Sequence, residues 1–314
     1  MYTVENLYQQ HADSLQLELL AGERGLKRRI RVPEAHRPGL TLAGYLKSHA
    51  GKRILVFGKV EFEYLRDLSP RHRIERLRAL LETPTPAVIL ARNYQPLKAL
   101  KQLCEEKEIP LFRADMTTMS LLAKMTMLLN EEFAPSLNCH GTLVEVFGVG
   151  VLLQGESSVG KSEAALGLVE RGHRLVSDDI VKVKRREGAY LEGFGAELTR
   201  YHMEIRGIGI INVANLYGAV CVRDRKQLDI VVKLEVWDES HFYDRVGLEE
   251  KYCDILGVRL PFHVLPVKPG RDVVLLVETI ALNHRLKEMG YNSAKEFNAK
   301  LLETLSHKQK KRRF

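Results

Sequence analysis

The chain has 314 residues, 45% hydrophobic and 28% charged, with a formal net charge of +8, which is ordinary for a soluble globular protein and long enough for two domains rather than one. No run of 18 apolar residues occurs, which excludes a membrane-spanning helix, and Met1-Tyr2-Thr3-Val4-Glu5-Asn6 lacks the basic-then-apolar pattern of a signal peptide. Cys104, Cys139, Cys221 and Cys253 are scattered without a C-x-x-C pair, which argues against a zinc site and a disulfide framework and makes a reducing cytoplasm the expected home.

In chain order, the first charged feature is Arg24, Lys27, Arg28, Arg29 and Arg31, matched at the far end by Lys308-Gln309-Lys310-Lys311-Arg312-Arg313. Aromatic residues do not interleave with either cluster, as a stacking platform for nucleic acid requires. A solvated face and a frayed tail are therefore expected, with no nucleic-acid partner. Ile54-Leu55-Val56-Phe57 and Ala87-Val88-Ile89-Leu90 are short apolar runs between turn residues and predict buried strands. Between them Ile74, Leu77, Leu80 and Leu81 fall at helical spacing over 71–81, and Pro84 and Pro86 break the pattern. A second helix is expected over 95–108 and a short strand over 109–112. This alternation predicts an α/β domain with parallel-sheet character. It offers no phosphate loop, no clustered metal ligands and no obvious nucleophile, so a regulatory or assembly role is expected.

Residues 119–133 predict an amphipathic connecting helix whose broad apolar face carries Met119, Leu122, Met125, Met127, Leu128 and Leu129, a core or interdomain packing face. Ala134-Pro135-Ser136 follows. The chain is expected to divide near residue 130, into 1–130 and 131–314.

The second part carries the chemistry. Gly155-Glu156-Ser157-Ser158-Val159-Gly160-Lys161-Ser162 fits the phosphate-loop pattern G-x-x-x-x-G-K-S/T. Its glycines let backbone N–H groups turn into one concavity, Lys161 reaches the outer phosphates of a nucleotide, and the Ser162 hydroxyl suits a magnesium ion. Val144, Val146, Val149, Val151, Leu152 and Leu153 predict a buried strand before the loop, and 163–170 a helix after it, whose N-terminal dipole faces the phosphates. Asp178-Asp179 follow the apolar Leu175-Val176. Neighbouring carboxylates repel, which suits one of them to proton exchange near neutrality. In Glu204-Ile205-Arg206-Gly207-Ile208-Gly209-Ile210-Ile211-Asn212 the glycines suggest a close backbone approach or a mobile turn, a plain strand-turn being the alternative. Residues 230–239 end in Asp238-Glu239 like the acidic strand of a motor ATPase. Lys233 and Glu235 alternate within them, which predicts a half-exposed strand instead of a buried central one. No N-K-x-D follows, so the guanine-reading feature of small GTPases is missing.

Taken together these residues resemble the HPr kinase/phosphorylase family over nearly the whole chain. The resemblance is carried by His36-Arg37-Pro38-Gly39-Leu40-Thr41-Leu42-Ala43-Gly44, by His140-Gly141, by the 155–162 loop, and by Gly172-His173-Arg174-Leu175-Val176-Ser177-Asp178-Asp179. It continues through Met203-Glu204-Ile205-Arg206-Gly207-Ile208-Gly209-Ile210-Ile211-Asn212, Tyr243-Asp244-Arg245 and Pro266-Val267-Lys268-Pro269-Gly270-Arg271. A phosphate loop alone fits dozens of families; these motifs in this order are specific.

The resemblance implies an N-terminal α/β domain and a C-terminal phosphate-loop kinase domain of the carboxykinase-like type. It implies phosphorylation of a serine in the phosphocarrier protein HPr from ATP or pyrophosphate, and the reverse phosphorolysis that gives pyrophosphate. Gly155 to Ser162 then bind the nucleotide and Lys161 its phosphates. Ser162 and Glu204 ligate Mg2+. Asp179 is the base for the acceptor serine and the acid in reverse, and His140 and Arg245 bracket the transferred group. Met203–Asn212 serves both directions, and Pro266–Arg271 dephosphorylation, where Lys268 and Arg271 suit phosphate or pyrophosphate. The family also implies a cytoplasmic homohexamer. The chain departs from the common pattern at Ser158, where glycine is frequent, at Lys268, where arginine is frequent, and at Asp272, where asparagine is frequent. A non-enzymatic nucleotide-binding regulator and a small-molecule kinase with a similar loop are the competing classes.

Overall fold

Apolar runs bounded by turn residues become the inner strands of the first of two units, and a phosphate-loop hairpin organises the second. The structure is a computed structural model that describes residues 2–45, 51–82, 84–244 and 247–311, with side chains described as far as residue 305. The units span Met1–Ala134 and Pro135–Phe314.

The first unit runs α1 (Val4–Leu15), β1 (Leu17–Ala21), β2 (Ala35–His36), α2 (Gly39–Leu42), β3 (Ile54–Phe57), α3 (Lys59–Asp67), α4 (Pro70–Leu81), β4 (Val88–Leu90), α5 (Lys98–Glu106), β5 (Leu111–Ala114) and α6 (Thr118–Phe133). Its sheet has the order β1-β5-β4-β3-β2. The four strands from β2 to β5 are parallel, and β1 joins β5 antiparallel. Strand alternation sends Leu55, Phe57, Val88 and Leu90 to one face, against Phe62, Leu77, Leu80 and Leu100. Ile54, Val56, Ile89 and Phe112 face the other way, onto Val4 and Leu7 of α1 and Leu121, Met125 and Leu129 of α6. The expected methionine face is thus split: Met125 is buried in the unit's own core, while Met119 and Met127 are exposed.

Two sequence features prove structural. Arg37 makes a bidentate pair with the buried Glu61 (3.0 and 2.9 Å), and Glu61 also accepts from Gly58 N at 2.9 Å, so the 36–44 motif closes over the start of α3. In the basic cluster, Arg28 donates to the carbonyls of Glu108 (2.7 Å), Thr85 (3.0 Å) and Lys107 (2.8 Å), making it a clamp on the backbone and not merely a solvated charge.

The second unit runs β6 (Ser136–His140), β7 (Thr142–Val146), β8 (Val149–Gln154), α7 (Lys161–Glu170), β9 (Arg174–Ser177), β10 (Ile180–Arg186), β11 (Tyr190–Phe194), β12 (His202–Ile205), β13 (Gly209–Asn212), α8 (Val213–Tyr217), β14 (Arg225–Gln227), β15 (Ile230–Val236), β16 (Lys251–Ile255), β17 (Val258–Val267), α9 (Val273–Glu288) and α10 (Ser293–Lys311). Among the described residues its main sheet has the order β16-β17-β15-β8-β7-β9, with a second sheet β14-β11-β10-β6 and the hairpin β12-β13. Val144, Val151, Leu153 and Val232 pack one face of the main sheet against Ala164, Ala165 and Leu168 of α7 and Val277 and Ala281 of α9. Leu143, Leu152 and Val231 pack the other face against Val181, Val183 and Leu191 of the second sheet.

The structure corrects two strand expectations. The apolar stretch before the phosphate loop is two antiparallel strands, β7 and β8, turning at Phe147-Gly148. And β15 is a central strand, parallel to both β8 and β17, with Ile230, Val231, Val232 and Leu234 buried. Its alternation arises toward the carboxyl end, where Lys233 and Glu235 lie 3.5 Å apart.

If Arg28 is a clamp, Arg28→Ala removes three charge-assisted bonds, one of them to the carbonyl of the buried Thr85, and should cost about 2–3 kcal/mol in urea unfolding. Arg28→Lys should recover little, because an ammonium cannot span three carbonyls. Wild-type stability in both variants would contradict the clamp.

Candidate active site

The phosphate loop leaves the carboxyl end of β8 and enters α7. At Gly155 (φ 146°) a Cβ would lie 2.3 Å from Leu234 O of the neighbouring β15, so the loop passes too close to that strand for a side chain. Gly160 (φ 94°) is the left-handed residue before the helix. Ser158, where glycine is frequent in the resembling family, also takes a left-handed conformation (φ 70°) at a cost of roughly 1–2 kcal/mol. Val159 is buried beneath the loop, and Lys161 folds back so that Nζ donates to Gly155 O (2.9 Å) and Glu156 O (2.8 Å).

Asp178 and Asp179 form the tight connection from β9 to β10, closed by Ile180 N donating to Asp178 O at 2.8 Å. The two carboxylates part. Asp178 is 8% exposed and accepts from Thr142 Oγ1 at 2.7 Å; Ser162 Oγ lies 3.1 and 3.0 Å from its two oxygens. Asp179 is left-handed (φ 63°), a conformation that aspartate tolerates better than most residues. Its side chain is 80% exposed, with Oδ1 3.9 Å from Nδ1 of His140, itself 85% exposed. Gly141 N donates to Asp179 O at 2.9 Å, which holds the end of β6 beside this turn. One carboxylate thus sits under the loop with a hydroxyl, and the other stands on the rim with an imidazole.

The 203–212 segment is the hairpin β12-β13, in register Glu204 with Ile210, and Gly207 (φ 84°) and Gly209 (φ 103°) lie at its turn. A Cβ at Gly207 or Gly209 would meet nothing within 4 Å, so these glycines serve the turn and not a close backbone approach. Arg206, in that turn, reaches the phosphate loop and donates from Nη2 to Ser157 Oγ at 2.9 Å. Glu204 is exposed on β12, while the carboxylate that meets Ser162 is Asp178. Nothing in the sequence signals the Arg206 contact; a serine in a phosphate loop followed by a post-strand aspartate is the signal by which the Ser162–Asp178 pair is readable.

The 266–271 segment follows β17. Lys268 Nζ stacks over the Trp237 ring at 4.7 Å, and Arg271 Nη1 donates to Pro266 O at 2.9 Å. Asp272 caps α9 by accepting from Leu275 N at 2.9 Å, a task asparagine also performs. As an anion it adds an ion pair to Arg171 at 3.1 Å. Arg171, at the end of α7, also bonds Glu278 at 2.7 Å, and Glu278 meets the buried His173 at 2.9 Å. Burial raises the Glu278 carboxyl, but the His173 and Arg171 bonds win and hold it below the usual carboxylate range. This network ties the helix that begins at Lys161 to the helix that begins beyond Arg271. Arg245 lies outside the described residues, as do Arg312 and Arg313. The four cysteines are free, and burial, with Glu105 beside it, pushes the Cys104 thiol up to about 12.

Two family models match the chain: "HPr Serine kinase N terminus" over residues 2–129 and "HPr Serine kinase C-terminal domain" over residues 131–301. A protein named HPr kinase/phosphorylase from Leptospira biflexa is 44% identical over 301 residues, 95% of this chain and 93% of the relative. Another of that name from Brevibacillus brevis is 41% identical over 288 residues, 92% of this chain and 93% of the relative. A solved structure titled as the Hpr(Ser) kinase/phosphatase from Coxiella burnetii is 34% identical, covering 51% of this chain and 98% of its own, with a TM-score of 0.47.

The close approach at Gly155 yields a direct test. Gly155→Ala should force the loop away from Leu234 and weaken nucleotide binding at least tenfold, whereas Gly39→Ala, at a position without a left-handed φ where a Cβ would meet nothing nearer than Glu61 Oε1 at 3.6 Å, should leave binding unchanged. Calorimetric titration with a non-hydrolysable nucleotide checks both, and equal affinities would contradict the loop assignment.

Proposed function

The chain belongs to the HPr kinase/phosphorylase family, and from that premise we propose that it transfers a phosphoryl group to a serine of HPr and reverses the transfer by phosphorolysis. The observation that carries this reading is the β8–loop–α7 cradle with one carboxylate beneath it and another on its rim. We propose ATP, or pyrophosphate, as the donor. Its phosphates would lie on the N–H groups of 155–162, with Lys161 exchanging carbonyl partners for phosphate oxygens.

The donor set fits magnesium: Ser162 Oγ and the Asp178 carboxylate are hard oxygen groups at one place, and Glu204 is assigned as a further ligand from the family pattern. When bound, the cation would supply positive charge that offsets the charge of the phosphates. On the rim, Asp179 takes the proton from the serine hydroxyl as the serine oxygen bonds the transferred phosphorus and that phosphorus breaks its bond to the departing ADP, or to phosphate when pyrophosphate is the donor; in reverse an oxygen of inorganic phosphate bonds the phosphorus of the seryl phosphate, forming pyrophosphate, while the serine oxygen leaves and takes the proton back from Asp179. His140, 3.9 Å away, and Arg245 are assigned to the charge on the transferred group. Arg206 on Ser157 makes the 203–212 hairpin part of the loop, in keeping with a role in both directions. The 266–271 segment, with Arg271, is assigned to phosphate and pyrophosphate.

The same reading makes the first unit an assembly or regulatory domain, the enzyme a homohexamer, and the cytoplasm its place. No helix among the described residues is long and apolar enough to cross a membrane.

With labelled ATP and purified HPr, label should appear on serine, and Lys161→Ala should lower the rate by about 10²–10³. Serine-phosphorylated HPr supplied with phosphate should release pyrophosphate, and Arg271→Ala should weaken this reaction more than the forward one. Nucleotide binding without transfer would support a regulator, transfer only to a metabolite a small-molecule kinase, and equal loss of both directions in Arg271→Ala would contradict a direction-specific role for that segment.

A further inference from the structure

Strand β7 is buried along its whole length, and Thr142 in it is fully buried beside Leu143, Val144 and Val146. Valine has the same shape, an equal liking for strands and no hydroxyl to desolvate, so a buried threonine there calls for a polar partner. The partner is Asp178: Thr142 Oγ1 donates to its Oδ1 at 2.7 Å. The same carboxylate faces Ser162 Oγ at 3.0–3.1 Å. Thr142 lies opposite Leu153 on β8, the strand that feeds the phosphate loop, so the hydroxyl comes from a rigid element adjoining the loop.

We propose that Thr142 is a positioning residue for the cation-binding hydroxyl of Ser162, acting through Asp178. A serine hydroxyl has one proton. When that proton is committed to Asp178, the oxygen lone pairs are left for a divalent cation. Asp178 can hold it in one direction only if its own rotamer is fixed. Thr142 provides this by bonding one carboxylate oxygen from the core side. Ser162 alone could rotate, and Asp178 alone could swing; the three groups in series, from β7 through the β9–β10 turn to the start of α7, fix the hydroxyl before a nucleotide arrives. This inference rests on the reading of the loop as a magnesium-nucleotide site and adds a residue in none of the motifs that identify the family.

The test reads binding and not turnover. A non-hydrolysable ATP analogue is titrated into the full chain by calorimetry at increasing Mg2+, and separately in EDTA. Hydrogen bonds to charged groups are worth about 1.5–3 kcal/mol, which converts to roughly 10- to 100-fold. Thr142→Val should therefore need at least tenfold more Mg2+ to reach half of its Mg2+-dependent affinity gain. Its affinity in EDTA should equal wild type. Thr142→Ser, which restores the hydroxyl, should overlay wild type. Should the valine variant not fold, as judged by its thermal transition, Thr142→Ala carries the same expectation, since it removes the hydroxyl without adding bulk. A Mg2+ titration of Thr142→Val that overlays wild type overturns the inference. So does an equal loss with and without Mg2+, a failure of serine to restore, or a failure of both hydroxyl-free variants to fold, each of which makes the residue purely structural. If the wild-type chain itself shows no Mg2+-dependent affinity, the magnesium-nucleotide reading falls, and this inference with it.

Discussion

A two-residue turn determines how this site is divided. Between β9 and β10 the chain has room for Asp178 and Asp179 only, and the left-handed conformation of the second sends the two side chains to opposite sides. One carboxylate is drawn under the phosphate loop to a hydroxyl from α7 and another from β7. The other is displayed on the surface beside His140. A carboxylate that is to hold a cation must be fixed and desolvated with its partners, and one that is to take a proton from a protein substrate must be reachable. In the roles proposed for them, Asp178 beside the Ser162 hydroxyl and Asp179 as the base meet these conditions because the turn puts one in a buried and the other in an exposed environment.

The rest of the second unit supports that division. β8 ends at Gln154 opposite Lys233 while the parallel β15 runs on to Val236, so the phosphate loop leaves at the carboxyl ends of parallel strands, where open α/β sheets place ligands. The loop fits there because Gly155 lacks the Cβ that would strike β15. Arg206 brings the β12-β13 hairpin onto the loop from one side. Arg171, Asp272 and Glu278 bind the end of α7 to the first turns of α9, while Gly167 allows the two helices to approach so closely that a Cβ there would lie 2.7 Å from Val274.

What could be read from the sequence depended on how local the signal was. The 155–162 pattern, the inner strands expected at 54–57 and 87–90 and the helices expected at 71–81 and 119–133 rest on spacing within a few residues, and each corresponds to an element of the structure to within a residue at its ends. The β7-β8 hairpin was hidden because both of its strands are buried on both faces and read as one apolar run. Lys233 and Glu235 report the carboxyl end of β15 and not its central place in the sheet, which depends on β8 and β17 far away in sequence. Asp178 and Asp179 were legible as a pair, but their separation follows from a backbone conformation that periodicity does not encode. Thr142 carried no signal at all, since a threonine in a strand is unremarkable until its hydroxyl is seen to reach a carboxylate 36 positions on.

The most direct test of the divided turn compares Asp178→Asn with Asp179→Asn in a single experiment: Mg2+-dependent binding of a non-hydrolysable ATP analogue by calorimetry, together with the rate of serine phosphorylation on HPr. Asparagine preserves shape and tolerates the left-handed position, so each variant changes one charge. The account predicts that Asp179→Asn binds the magnesium nucleotide like wild type and loses about 10²–10⁴ in transfer rate, while Asp178→Asn loses the Mg2+-dependent part of binding. The reverse pattern, or the same loss of binding in both, would contradict it.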